Sequence, residues 1–293
     1  MNSILRNLIL AMLSISAIAL LGACDDDDDA NNPAAPLPEI AQVRVAHLSP
    51  GAPEVDVWVD GVLQLEDVPF KGFSGYLELS AGDHDVIVYV ANTTTDPVID
   101  ETVTVMGGTA YTAAATGLVS DDSIGLSIFV DDLSTQGDKA RIQFVHASPG
   151  TPPVDITLLD GTKLFSNVEF GTSSASSQLV DGAAYSLQAR VANTATVALS
   201  FADVPVADGM NYTVYAIGLL SDNSITGLVS VNEEVGETAT VELVPATAEL
   251  RVAHLVPGAG PVDVWLDGNR ELFGVPFEVF SDYLPIAAKT YTV

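Results

Sequence analysis

From Ala41 onward, apolar residues recur at every second position. Val43 and Val45 alternate with polar neighbours, and so do Val55, Val57 and Val59. This is the period-2 pattern of a strand that turns one face to a core. Asp60-Gly61 follows the second run, where a hairpin turn calls for a left-handed backbone. The same texture predicts strands over 75–79, 85–91, 98–105, 111–116 and 124–130, with breaks at Gly82 and Gly107-Gly108. No segment beyond the first 23 residues carries a helical period of 3.6. About seven short strands in about 95 residues, turning every 8–12, predict an all-β fold of immunoglobulin-like antiparallel β-sandwiches.

The chain repeats this pattern. Arg44-Val45-Ala46-His47-Leu48-Ser49-Pro50 leads into Val55-Asp56-Val57-Trp58-Val59-Asp60-Gly61. A second copy starts at Arg141 and runs through Val145-His146-Ala147-Ser148-Pro149 to Val154-Asp155-Ile156 and Asp160-Gly161. A third runs from Arg251-Val252-Ala253-His254 to Val262-Asp263-Val264-Trp265-Leu266-Asp267-Gly268. The spacing between copies is that of whole small domains, since solenoid units are only about 20–50 residues long. Later segments match too: Gly117-Leu118-Val119-Ser120-Asp121-Asp122-Ser123 answers Gly218-Leu219-Leu220-Ser221-Asp222-Asn223-Ser224. The expected units are 41–138 and 139–247, each with its linker, and a partial third repeat over 248–293. The stretch 233–246 has room for an added strand. The third repeat breaks off where the first reaches Val86. Half a sandwich leaves an apolar face and a sheet edge uncovered, so a truncation or a half-domain packed on a neighbour is expected.

The N-terminus changes the picture of where the chain resides. Residues 8–21 form an almost unbroken apolar run, Arg6 is the only early charge, and Leu21-Gly22-Ala23 precedes Cys24. So short a run reads as a signal peptide over 1–23 better than as a membrane span of about 20 apolar residues. Leu21-Gly22-Ala23-Cys24 resembles the bacterial lipobox, which implies lipidation of Cys24, the only cysteine. Several acyl chains, at about 0.8 kcal/mol per buried CH₂, would hold a polar chain on a membrane. Asp25 to Asp29 and the prolines at 33, 36 and 38 make 24–40 an extended, disordered tether. The whole chain carries a net charge of −29. It would be repelled by phosphate backbones, which argues against nucleic acid as a partner.

The order Val-Arg-Val-x-His-x-x-Pro, Val-Asp-Val, Asp-Gly and Val-Pro-Phe (68–70 and 275–277) resembles the bacterial family catalogued as domain of unknown function 4397. The resemblance covers nearly all of the chain after the tether. It implies extracytoplasmic β-sandwiches, often in tandem on lipoproteins, with no established activity. Repeat two departs from it at Val168-Glu169-Phe170.

Three sets of residues could carry chemistry. His47/Ser49 and His146/Ser148 have the residue types of a base and a nucleophile, with Asp56 or Asp155 as orienter. Val256 stands at the serine position of repeat three, and a structural role for His47, His146 and His254 is the expected one. Asp121, Asp122 and Asp222 sit in recurring acidic loops that could give calcium some of its six to eight oxygens; no other cofactor is implied. If the valines of Val-Asp-Val point inward, Asp56 with Trp58 and Asp263 with Trp265 point outward. An aromatic ring beside a carboxylate suits stacking and hydrogen bonding of a sugar. The expected protein is therefore a non-catalytic binding or structural module of the bacterial cell envelope. A lipid anchor would hold it on a membrane, facing glycans, calcium or envelope proteins. A hydrolase and an architectural spacer are the alternatives.

Overall fold

The computed structural model describes residues 39–134, 137–175, 177–222, 224–232 and 238–293. The signal segment, Cys24, nearly all of the tether and Asn223 lie outside the described residues.

In the first repeat the strands are β1 (Ile40–His47), β2 (Val55–Val59), β3 (Val62–Val68), β4 (Leu77–Ser80), β5 (Gly82–Val90), β6 (Ile99–Val105), β7 (Ala110–Thr116) and β8 (Gly125–Asp131). They form two four-stranded sheets, in the orders β4-β1-β7-β8 and β3-β2-β5-β6. Alternation does what the sequence implied. Val55, Val57 and Val59 are buried while Asp56 and Trp58 are only half-buried. Each buried valine contributes about 1.5–3 kcal/mol relative to exposure. With Val86, Val88 and Ile99, Val55 and Val57 form the layer between the sheets.

One pairing could not be read from alternation: β1 runs parallel to β7, with Val43 opposite Tyr111 and His47 opposite Ala115. All other strand pairs of this repeat are antiparallel. The eighth strand is β3. It lies at a sheet edge with most side chains in solvent, and its pattern is correspondingly polar.

The second repeat follows the same plan with β9 (Ala140–His146), β10 (Val154–Leu158), β11 (Lys163–Val168), β12 (Thr172–Ser173), β13 (Gln178–Val180), β14 (Ala183–Val191), β15 (Val197–Val206), β16 (Asn211–Ile217) and β17 (Thr226–Val231). Strands β9 and β16 repeat the parallel pair. The room for a strand after 233 is filled by β18 (Thr240–Leu243), which lengthens the sheet by pairing with β17. The described part of the third repeat has β19 (Thr247–Leu250), β20 (Val262–Leu266), β21 (Asn269–Val275) and β22 (Leu284–Ala287), paired β19-β22 and β20-β21. It lies along β15 of the second sandwich, where the Thr290 amide donates to the Val197 carbonyl at 2.8 Å.

The sheet that carries the histidine strand is covered on both faces. Ala46, Leu48, Ala114 and Phe129 of the first repeat share one apolar cluster with Val145, Ala147, Tyr215, Ile217 and Leu228 of the second. The two sandwiches thus meet through equivalent outer faces. Ala46 and Val145 both precede the histidine, and Ala114 and Tyr215 both lie at the middle of the partner strand. Burial from both sides explains why every residue of β7 is buried and why its Ala-rich sequence shows little alternation.

Candidate functional site

The recurrent histidines sit at the ends of β1 and β9 and close the loop that follows. His47 Nε2 donates to the Pro53 carbonyl at 3.0 Å, and Nδ1 accepts the Ser49 amide at 3.4 Å. His146 does the same with Pro152 at 3.2 Å and Ser148 at 3.3 Å. His254 repeats it with Gly260 at 3.0 Å and Val256 at 3.4 Å. An accepting Nδ1 and a donating Nε2 define a neutral ring. Burial pushes His47 and His146 below the ordinary imidazole range, against the pull of the proline carbonyl.

The serines turn away from these rings. Ser49 Oγ donates to the Gly117 carbonyl at 2.8 Å and Ser148 Oγ to the Gly218 carbonyl at 2.7 Å. All four side chains are buried. Histidine and serine are adjacent but not paired as base and nucleophile; each ties the motif strand to a different loop.

The aspartates of the Val-Asp-Val motif are also committed to the backbone. Asp56 accepts the amides of Asp67 and Asn92, both at 2.9 Å, and those two residues have left-handed backbones. Asp155 holds Asn167 and Asn193 in the same way and pairs with Lys163 at 2.6 Å. These contacts pull its carboxyl below the usual range although burial opposes them. Asp263 accepts the Gly274 amide at 2.8 Å and faces Arg270 at 3.5 Å. One carboxylate thus braces two bends, an Asx-type use of the side chain.

The two tryptophans differ. Trp58 has Leu63 and Ile87 as cross-strand neighbours, and its indole nitrogen is buried without a hydrogen-bond partner. Trp265 is 49% exposed. The Arg270 guanidinium lies 5.8 Å from its ring and 5.0 Å from that of Phe273. Of the expected aromatic platforms, this one on repeat three is open, and Trp58 is half-covered by its own sheet.

In the acidic loops, Asp121 Oδ1 caps the Ser123 amide at 3.1 Å and Asp222 Oδ1 caps that of Ser224 at 2.9 Å. The serine contacts hold both carboxyls below their usual range. Asp122 supplies the left-handed residue after the 3-10 turn Val119–Asp121. Among the described residues no group of three or more His, Cys, Asp or Glu side chains comes together.

A buried polar cluster escaped the sequence reading. Arg44 is fully buried between the first two sandwiches. Its Nε donates to Thr112 Oγ1 at 2.7 Å, and its Nη2 to Tyr215 Oη at 3.0 Å and to Asp131 Oδ1 at 3.3 Å. Thr112 and Tyr76 donate to the other carboxylate oxygen at 2.6 and 2.8 Å. The rings of Phe73 and Tyr76 lie 5.5 and 5.1 Å from the guanidinium.

The cluster does not recur in the second repeat. Arg44 stands three positions before its histidine and Arg141 five, so Gln143 takes Arg44's place and Arg141 takes that of Gln42. In repeat three, Arg251 keeps the three-residue spacing. It lies 4.8 Å from the Phe280 ring and 5.5 Å from the Tyr283 ring.

These features define tandem β-sandwich modules whose recurring polar residues brace loops, with Arg44 and Tyr215 joining the first module to the second. The model of the family described as domain of unknown function (DUF4397) matches residues 41–157, 140–244 and 248–293. The chain belongs to that family. No curated protein matches the sequence. Among solved structures, a DUF3823 family protein from Bacteroides ovatus is similar at 12% identity, over 71% of this chain and 98% of its own, with a TM-score of 0.18. So low a score carries no argument.

Proposed function

We propose that this protein is a non-catalytic module of the bacterial cell envelope, held to a membrane by lipid on Cys24, with its β-sandwiches serving as contact surfaces. One observation supports this above others. In all three repeats the histidine ring closes a loop, and the serines of the first two are spent on a glycine carbonyl. What recurs is therefore architecture. A hydrolase would need the serine oxygen within reach of the imidazole. The lipobox-like tetrapeptide and the acidic tether supply the anchoring part of the reading.

The contact chemistry with most support is an aromatic one, on Trp265 with Arg270 and Asp263 beside it. Glycan-array binding of the full-length chain, with and without calcium, tests it against Trp265→Ala and Trp58→Ala variants. Glycan binding lost in the first variant and kept in the second supports a sugar-contacting surface on repeat three. Absence of binding under every condition removes glycans and leaves protein contact. Acyl labelling of the chain that disappears in Cys24→Ser tests the anchor.

A further inference from the structure

The two sandwiches treat one sheet edge differently. In the second, the edge strand β17 is covered by β18: Gly227 lies opposite Leu243 and Val229 opposite Val241, and the Val231 amide donates to the Ala239 carbonyl at 3.0 Å. In the first, the equivalent strand β8 is the last of its sheet. Leu126, Ile128 and Val130 occupy the positions of Gly227, Val229 and Val231. Two of their outward groups meet side chains instead of a strand. The Leu126 amide reaches the Glu101 carboxylate at 3.3 Å, and the Val130 carbonyl accepts from Gln143 Nε2 at 3.0 Å.

The side-chain cover is missing as well. Val229 is 7% exposed, next to β18, whereas Ile128 is 37% and Val130 51% exposed. Edge strands in native proteins are commonly blunted with Lys, Pro or a bulge. β8 has none of these: its sequence is Gly-Leu-Ser-Ile-Phe-Val-Asp, and its register with β7 is unbroken.

We propose that β8 is a strand-addition site, which takes an extended peptide from a partner protein antiparallel to Leu126, Ile128 and Val130, as β17 takes β18. Main-chain hydrogen bonds supply the affinity in this mode and alternate side chains the selectivity. The fitting segment has apolar residues at alternate positions, placed like Val241 and Leu243, and no proline among its paired residues. It displaces Glu101 from the Leu126 amide, so it carries no acidic side chain facing that carboxylate.

The probe is a synthetic peptide of residues 238–246 of this chain, added to the full-length protein. The expected result is saturable binding with slowed amide hydrogen exchange at Leu126, Ile128 and Val130, and unchanged exchange at Ser127 and Phe129, whose amides already face β7. A Val130→Lys substitution alters only a solvent-facing side chain and is expected to weaken binding at least tenfold. Ile128→Pro, which removes the central amide, abolishes it, with circular dichroism reporting whether that variant remains folded. No saturable binding by the folded wild-type chain overturns the proposal. So does a scrambled peptide that binds equally well, or protection that appears elsewhere than at the three β8 amides.

Discussion

Arg44 of the first sandwich and Tyr215 of the second meet at 3.0 Å across 171 residues of sequence, both buried. The guanidinium stays charged there. Burial works against it, and Tyr215, Asp131 and Tyr76 more than offset that cost. Tyr215 is pushed up by the same burial and remains a neutral donor or acceptor. The contact makes the first two repeats one folded unit rather than two beads on a string.

Removing the arginine alone leaves Asp131 buried and uncompensated. Arg44→Met is expected to destabilise the protein by about 3–5 kcal/mol, the usual consequence of breaking a buried ion pair from one side. The second repeat shows a neutral solution for the same three positions: Gln143, Thr213 and Asn232, with Asn232 Nδ2 donating to Thr213 Oγ1 at 2.8 Å. The double variant Arg44→Gln, Asp131→Asn should therefore recover most of the loss. Chemical denaturation of the single and double variants measures the coupling. A double variant no more stable than Arg44→Met would mean that the charge itself holds the interface.

The serine-to-glycine ties predict a stability effect. Ser49→Ala removes the donor to the Gly117 carbonyl, and a buried carbonyl left unmet costs about 1–3 kcal/mol. Ser148→Ala should cost about the same through Gly218. The glycines are equally constrained. Gly117 has φ +82°, and a Cβ there would lie 2.1 Å from the Ser123 carbonyl oxygen. Gly117→Ala is expected to exceed the roughly 1–2 kcal/mol cost of a left-handed alanine. Thermal melts of the three variants check the order.

Much of this was legible in the chain. The Val-Asp-Val alternation marks β2, β10 and β20, and the repeated His-x-Ser marks the ends of β1 and β9. Two things were not. A strand packed on both faces, such as β7, loses the alternation that betrays a half-exposed one. An ion cluster shared by Arg44, Asp131 and Tyr215 has members in two repeats, so no single motif contains it. The outward aspartates were placed on the expected side, but the partners that occupy them are amides of the left-handed residues Asp67 and Asn92. A sequence displays such residues only as ordinary loop polarity.

One histidine outside the repeated motif gives a pH dependence. His84 has Asp60 Oδ2 at 2.7 Å from Nδ1 and the Ser80 carbonyl at 2.8 Å from Nε2. Both ring nitrogens face acceptors, so the imidazolium fits best. The Ser80 carbonyl, then the Asp60 carboxylate, raises His84 above the ordinary range. Its stabilisation is complete below the unfolded histidine pKa, about 6.5, and is lost as pH rises through the higher folded value. His47 and His146 act oppositely. Burial lowers them, so their contribution is present above about pH 6.5 and lost as pH falls through their folded values.

Repeats two and three put Tyr185 and Tyr291 in place of His84, each donating to the carbonyl four residues back at 2.8 and 3.0 Å. His84→Tyr should therefore keep the fold and abolish the loss of stability on the alkaline side of neutrality, leaving the acid-side loss intact. Unfolding free energies measured between about pH 5 and 9 for both proteins decide it. An unchanged alkaline slope in the variant would place the titrating group elsewhere than the His84–Asp60 pair.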